Sequence, residues 1–232
     1  PVERRKAQYQ IYMKSYLRCV ASIDDNVGRV LDYLDENGLR DNTIVIYTSD
    51  QGFFLGEHGW YDKRFMYEES LRMPFVMRYP GKIEAGCVDA HMILNTDFAT
   101  TLLDYAGVQI PEDMQGRSFR ALVEGADVED WRESIYYRYY FSHFNTLAHW
   151  GVRTLTHKLI YYHDSDEWEL FDLAQDSMEM VSVYDDPEYA DVVTDLMSEL
   201  DRLREEVGDT ESAEEGNARA ERVLGHPKHP MH

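Results

Sequence analysis

The stretch SDQGFFLGEHGWYDKRFMYEES, residues 49–70, decides how this chain is read. An acid, an amide, a histidine and two basic residues gather there around Gly52, Gly56 and Gly59, directly behind the apolar run TIVIYT at 43–48. That run is too short for a helix and rich in β-branched residues, so it is expected to be a buried strand of a parallel sheet. In such sheets ligands collect beyond the carboxyl ends of the strands, which is where Asp50 stands. Residues 51–71 show no clean period. They are expected to form a long loop with a helical turn around YEES, and ordered loops of that length usually carry function.

Working outward, the apolar positions Tyr12, Tyr16, Leu17, Val20, Ile23, Val27, Val30, Leu31 and Leu34 recur at three- and four-residue steps, which predicts an amphipathic helix stopped by Gly38. Helix, tight turn and buried strand make half of an α/β unit. MPFVMRYPG at 73–81 reads as another strand closed by a Pro-Gly turn, and Thr96 is placed to cap a helix DFATTLLDYAG ending at Gly107. A second unit is expected from Trp131. There ESIYYRYYFS, HWGVRTLTHKLIYY and EWELFDL are three β-prone segments for a small antiparallel sheet, and Val192, Val193, Leu196, Leu200 and Leu203 mark a helix to cover one face. The division is thus 1–130, 131–209, and a polar flexible tail at 210–232. His226, His229 and His232 in that tail are read as part of it rather than as a metal site.

Lys and Arg number 23 against 44 Asp and Glu, a formal charge of -21, so nucleic acid is excluded as a partner on average charge and an anionic substrate requires a local positive cluster or a metal. Cys19 and Cys87, in no metal-like spacing, exclude a disulfide framework and a thiolate zinc site, and both are expected to be buried. No apolar run is long enough to span a bilayer. The chain opens PVERRKAQ, without Met and inside a helical pattern, and so reads as a piece of something longer.

Asp50 and Gln51 offer hard oxygen ligands to Ca²⁺ or Mg²⁺, fewer than the roughly six to eight that calcium takes, and Asp-Gln-Gly is equally a turn. Lys63 adds an ammonium donor, with a salt bridge as the alternative, and His58 can donate a proton or a hydrogen bond near neutral pH. Phe53, Phe54, Trp60 and Tyr61 suit stacking on sugar rings as well as packing of the loop.

Taken whole, the run TSDQGFFLGEHGWYDKRFMYEESLRMPFVMRYPG, with QGRS at 115–118, GVRT at 151–154, KLIYY at 158–162 and ELFDL at 169–173, resembles the sulfatase family of the alkaline-phosphatase superfamily over most of residues 1–209. The resemblance implies an α/β fold, the C-terminal part of an alkaline-phosphatase-like sulfatase sheet, followed by a small antiparallel subdomain with a packed helix. It also implies that Asp50 and Gln51 ligate a divalent cation, usually Ca²⁺, and that Lys63 contacts the sulfate. His58 and Arg64 become candidates for contacts near the substrate, and His149 a candidate to approach from the smaller subdomain. Glu68, Glu69 and Arg72 are expected to pair with each other or brace the loop.

The departure from the family is large. Its formylglycine is made from the cysteine of a C-x-P/A-S/A-R signature, whereas Cys19 precedes VASI and Cys87 precedes VDAH. The early Asp-Asp pair of the metal shell is also missing, and the DP-x-E element after ELFDL reads DSME at 176–179. The expectation is therefore the C-terminal portion of a calcium-dependent sulfatase of sulfated carbohydrate, inactive by itself, whose missing N-terminal part is its partner. Action outside the cytoplasm, extracellular or periplasmic, is what the resemblance favours. A phosphate or phosphonate ester hydrolase on the same scaffold, or a non-catalytic binding module, are the competing readings.

Overall fold

The computed structural model describes residues 1–140, 142 and 146–224. The chain divides into two compact units. One comprises Pro1–Ser49, Pro74–Val88 and Val123–Ala126, and the other Asp50–Met73, Asp89–Leu122 and Asp127–His232.

In the first unit the predicted helix is α1 (Val2–Glu36), closed by Asn37 and by Gly38 at φ 66°, with the Leu39 N–H on the Leu34 carbonyl at 2.8 Å. None of its residues is buried, and Ile11, Leu17, Val20, Ile23, Val30 and Tyr33 are exposed along it. Strand β1 (Val45–Thr48) pairs antiparallel with β4 (Phe75–Arg78) in the register Val45↔Arg78 to Thr48↔Phe75. The reading of this run as a buried strand among parallel neighbours is corrected to that extent, since Tyr47 and Thr48 are exposed and β4 is the only strand paired with it among the described residues. Cys19 and Cys87 are exposed as well, not buried, because α1 buries no side chain and Cys87 lies in the irregular segment after β4.

The second unit is built on a four-stranded antiparallel meander, β5 (Ser134–Tyr139), β6 (His149–Thr154), β7 (His157–Tyr162) and β8 (Glu167–Asp172). The segment HWGVRTLTHKLIYY, read as one β-prone stretch, is two strands, because Thr154 Oγ1 accepts the N–H groups of Thr156 and His157 and turns the chain. Side-chain alternation gives the sheet two different faces. Trp150, Val152, Leu159 and Leu170 point one way and meet Leu196, Leu200 and Leu203 of α5 (Ala190–Glu206), as the periodicity predicts. Ile160, Tyr162 and Phe171 point the other way and meet Phe54, Phe65 and Met66 of the 50–71 segment. The sheet therefore carries a helix on one face and the candidate site on the other.

That segment contains the hairpin β2 (Phe54–Leu55) and β3 (Tyr61–Asp62), and the turn at YEES is α2 (Glu68–Leu71). Gly151 lets it seat on the sheet, since a Cβ there would lie 2.7 Å from Met66 Sδ and 2.3 Å from the Leu159 carbonyl oxygen. In α3 (Asp97–Tyr105) Thr96 makes no capping bond. The buried Asp97 carboxylate instead ties the start of α3 to its surroundings, accepting the N–H groups of Leu94 and Arg117 and pairing with Arg132. The short α4 (Arg120–Val123) follows, with Leu122 buried. Part of the stretch read as a flexible tail is α6 (Ala213–Leu224), begun by a reciprocal cap in which Ser212 Oγ accepts the Glu215 N–H and the Glu215 carboxylate accepts that of Ser212. Just ahead of it Asp209 and Glu211 both pair with Arg138, whose side chain is almost fully buried. Residues 225–232, with the three tail histidines, lie outside the described residues.

Candidate functional site

The candidate residues assemble around α2. Residues 52 and 53 run alongside it, Gly52 N–H bonding the Ser70 carbonyl at 3.0 Å and Phe53 N–H the Glu69 carbonyl at 2.6 Å. Only glycine fits at 52, because a Cβ there would stand 2.1 Å from the Glu69 carbonyl oxygen. The Ser70 side chain is wholly buried, and its hydroxyl accepts from Gln51 Nε2 at 3.1 Å and from the Arg64 backbone N–H at 3.0 Å. One hydroxyl thus holds together the amide of Gln51 and the Lys63–Arg64 peptide. Gln51 Nε2 also donates to the Ser70 carbonyl at 2.7 Å, which turns the Nε2 edge of the amide toward α2 and Oε1 to the opposite edge. That orientation fits an oxygen ligand. Asp50, two residues past the end of β1, is exposed. No cluster of three or more His, Cys, Asp or Glu suited to a metal is found among the described residues, and Asp50 with Gln51 offers fewer oxygen ligands than the roughly six to eight that calcium takes.

The backbone here is unusual. His58, Asp62 and Arg64 are non-glycine residues at φ 52°, 92° and 117°, conformations that persist only where the surroundings impose them. His58 lies on Tyr67, rings 4.5 Å apart and 14° from parallel, with Nε2 3.5 Å from Glu69 Oε2. Lys63 is half-buried between the two strained residues. Arg64 pairs with Asp62 at 2.7 Å, and its carbonyl accepts the Tyr137 hydroxyl at 2.8 Å. Burial pushes the Tyr137 phenol up to about 12, which keeps it a donor to that carbonyl.

His149 is placed differently from these. It is fully buried in β6, its Nδ1 donating to the Leu147 carbonyl at 2.7 Å, while Nε2 has no hydrogen-bond partner among the described residues. It meets the 50–71 segment through aromatic rings, stacking on Phe65 at 5.9 Å and Tyr137 at 5.6 Å. Burial drives its pKa down to about 4 against the Leu147 bond, so the ring is neutral at pH 7. Of the four aromatics read as sugar-stacking or packing residues, Phe54 is buried and Trp60 leans on Phe65 at 4.8 Å, while Phe53 and Tyr61 are exposed.

Sequence reasoning missed the residues that hold α2. Glu68 does brace the segment, but its partners come from the sheet: Arg153 Nε and Nη2 each lie 3.1 Å from its two oxygens, and Lys158 Nζ lies 3.0 Å away. Burial raises the Glu68 carboxyl, and the two cations outweigh it and hold it down at about 2. Glu69 faces His58. Tyr67 and Tyr162 both donate to Glu169 Oε2, at 2.8 and 2.9 Å.

The Ser70 hydroxyl thus links the amide next to the strand-end acid with the strained turn that carries Lys63. The family model described as N-sulphoglucosamine sulphohydrolase, C-terminal, matches residues 56–206, and that described as Sulfatase matches residues 2–108. The chain belongs to the sulfatase family, with an alkaline-phosphatase-like fold. It is 47% identical over 212 residues to an N-acetylglucosamine-6-O-sulfatase of Bacteroides thetaiotaomicron, covering 89% of this chain and 38% of that protein. The structure of BT4656 in complex with its substrate D-glucosamine-2-N,6-O-disulfate matches with a TM-score of 0.84 at 45% identity, over 89% of this chain and 43% of the other. A phosphonate monoester hydrolase of Agrobacterium radiobacter matches with a TM-score of 0.73 at 26% identity, over 81% of this chain and 40% of the other. The chain thus spans about two fifths of the length of these relatives.

Proposed function

We propose that the protein to which this chain belongs hydrolyses sulfate esters of carbohydrate, of the 6-O-sulfated glucosamine type, with the help of Ca²⁺ or, less suitably, Mg²⁺. The observation that carries this reading is the Ser70 hydroxyl, which bonds the Gln51 amide and the peptide after Lys63 at 3.1 and 3.0 Å and so brings a cation ligand and an ammonium-bearing turn to one place. Asp50 and Gln51 would hold the cation, which supplies positive charge beside the sulfate oxygens. Lys63 offsets the charge that grows on the bridging oxygen as the S–O bond of the ester breaks. Arg64, tied to Asp62, and His58, set by Tyr67 and Glu69, border the substrate, and exposed Phe53 and Tyr61 offer apolar faces to a sugar ring. His149, neutral and buried, supports Phe65 and Tyr137 beneath that edge.

The nucleophile, a formylglycine, and the other cation ligands belong in this reading to the remainder of the protein, so the chain alone releases no sulfate. The exposed apolar residues of α1 and the exposed end of β1, Tyr47 and Thr48, are consistent with cover from that remainder. Relatives that include an extracellular sulfatase homologue of Drosophila melanogaster favour action outside the cytoplasm, and no helix among the described residues is long and apolar enough to cross a membrane.

The test uses the full-length protein on 6-O-sulfated N-acetylglucosamine and on a phosphonate monoester. Turnover of the sulfate ester, falling at least a hundredfold, about 3 kcal/mol of barrier, in Lys63→Met and Asp50→Asn, is expected. Preference for the phosphonate would transfer the site to the phosphonate hydrolase reading that the Agrobacterium likeness keeps open. Unchanged turnover in both variants would overturn the assignment.

A further inference from the structure

We propose that Lys158 and Glu179 are positioning residues that hold α2, and through it the cation- and sulfate-facing groups, against the loop-bearing face of the sheet. This rests on the site reading above. Lys158 Nζ is fully buried, 2.5 Å from Glu179 Oε1 and 3.0 Å from Glu68 Oε1. Glu179, with its side chain fully buried, accepts the Glu68 backbone N–H on Oε2 at 2.7 Å, across 111 positions of sequence. It thereby supplies the first turn of α2 with an acceptor that the preceding residue does not provide, since Tyr67 makes no side-chain capping bond.

Glu179 is built for that reach. Its φ of 52° is left-handed, an uncommon state for a residue without the freedom of glycine. The turn that imposes it is closed by Asp176, whose carbonyl accepts the Glu179 N–H at 3.1 Å and whose carboxylate accepts those of Met180 and Val181 at 2.7 and 2.9 Å. A strained residue held by its own turn, with its carboxylate buried against a lysine, is expensive to keep for packing alone.

What α2 touches gives the arrangement its meaning. Tyr67 carries the His58 ring, Glu69 faces His58 Nε2, the Glu69 and Ser70 carbonyls take the Phe53 and Gly52 N–H groups, and Ser70 Oγ takes Gln51 and Arg64. Each of these site groups is therefore fixed to α2, and α2 is fixed by charge to β7 and the 176–181 turn. Ser70, which bonds the proposed cation ligand Gln51, is the group one step removed from the cation, and changing such groups commonly costs about 10–100-fold in affinity, the upper bound for Lys158 and Glu179 acting through α2.

The experiment uses the full-length protein with Glu179→Gln, which keeps an oxygen for the Glu68 N–H, and Lys158→Met with Glu179→Gln, which removes both buried charges together. Ca²⁺ affinity by titration calorimetry is expected to weaken about 10–100-fold, and kcat to fall with it, while amides of 51–72 exchange hydrogen at least tenfold faster and those of β5 to β8 do not. Faster exchange spread evenly over the sheet, with Ca²⁺ affinity unchanged, would reduce the pair to a fold-stabilising role and overturn the proposal. Should the double variant not fold, Glu179→Gln decides alone. Asp50→Asn separates the two ideas: if it leaves Ca²⁺ affinity intact the site reading fails, and the proposal with it. If it weakens Ca²⁺ binding while Glu179→Gln does not, only the positioning role fails.

Discussion

Replacing Glu68 with glutamine preserves the side chain's shape and removes the charge that Arg153 and Lys158 enclose. The carboxyl lies at about 2 in place of 4.5, and its side chain is only 19% exposed, so solvent screens the pair little. A depressed acid contributes stability that is complete above its unfolded value and disappears as pH falls through its folded one. The contribution is therefore about 3 kcal/mol at pH 7, about 1.4 kcal/mol at pH 3 and close to nothing below pH 2. The assay is local hydrogen exchange of the Leu71 and Arg72 amides, which bond the Tyr67 and Glu68 carbonyls at 3.0 and 2.8 Å. Corrected for intrinsic rates, Glu68→Gln should exchange roughly a hundredfold faster than the parent at pH 7 and roughly tenfold faster at pH 3. A gap equally wide at both values would show that shape and not charge anchors α2. A gap under about twofold at pH 7 would show that the anchor is elsewhere.

Two further expectations follow from the same geometry. Gly52→Ala forces a methyl against the Glu69 and Ser70 carbonyls, 2.1 and 2.7 Å from its ideal position, and backbone cannot yield as a side chain would. It should cost about 2–3 kcal/mol locally and expose the Phe53 amide to exchange, whereas normal protection of that amide would contradict the close approach. His149, lowered from 6.5 to about 4 by burial, takes up its proton more readily when unfolded, so between those values it subtracts stability as pH falls, about 3 kcal/mol in all. His149→Phe should melt with a shallower loss from pH 7 to pH 4 than the parent, and parallel melting curves would refute the assignment of that slope to this ring.

The elements with a strong local period were legible before any coordinates. α1 and α5 follow their apolar spacing, Gly38 stops the first, and the aperiodic glycine-rich segment is the one that holds the candidate residues together around α2. Asp50, Gln51 and Lys63 are candidates through the family resemblance of the run that holds them, since the residues alone allow a turn and a salt bridge as well. Lys158 and Glu179 are not legible there, since their contacts exist only when β7 and the 176–181 turn arrive against a segment about a hundred positions earlier, and Ser70 is not, since its bonds depend on how the loop folds back on itself. His149 looked available beside the GVRT block, and only the aromatic neighbours supplied by other strands reveal its burial. The missed α6 did have a signal, the S-x-x-E pattern at Ser212 and Glu215, which the surrounding polar composition obscured. Arg138, from a strand some seventy positions back, completes it by anchoring Asp209 and Glu211.

The two-sided alternation of β7 has a bearing on how the chain finds its pairing. Lys158, Ile160 and Tyr162 look toward the 50–71 segment and Leu159 toward α5. A slip of one residue would drive an ammonium among leucines and take it away from Glu179 and Glu68. The buried pairing thus penalises the misaligned sheet as well as holding α2, and the same lysine favours one strand register over its neighbours.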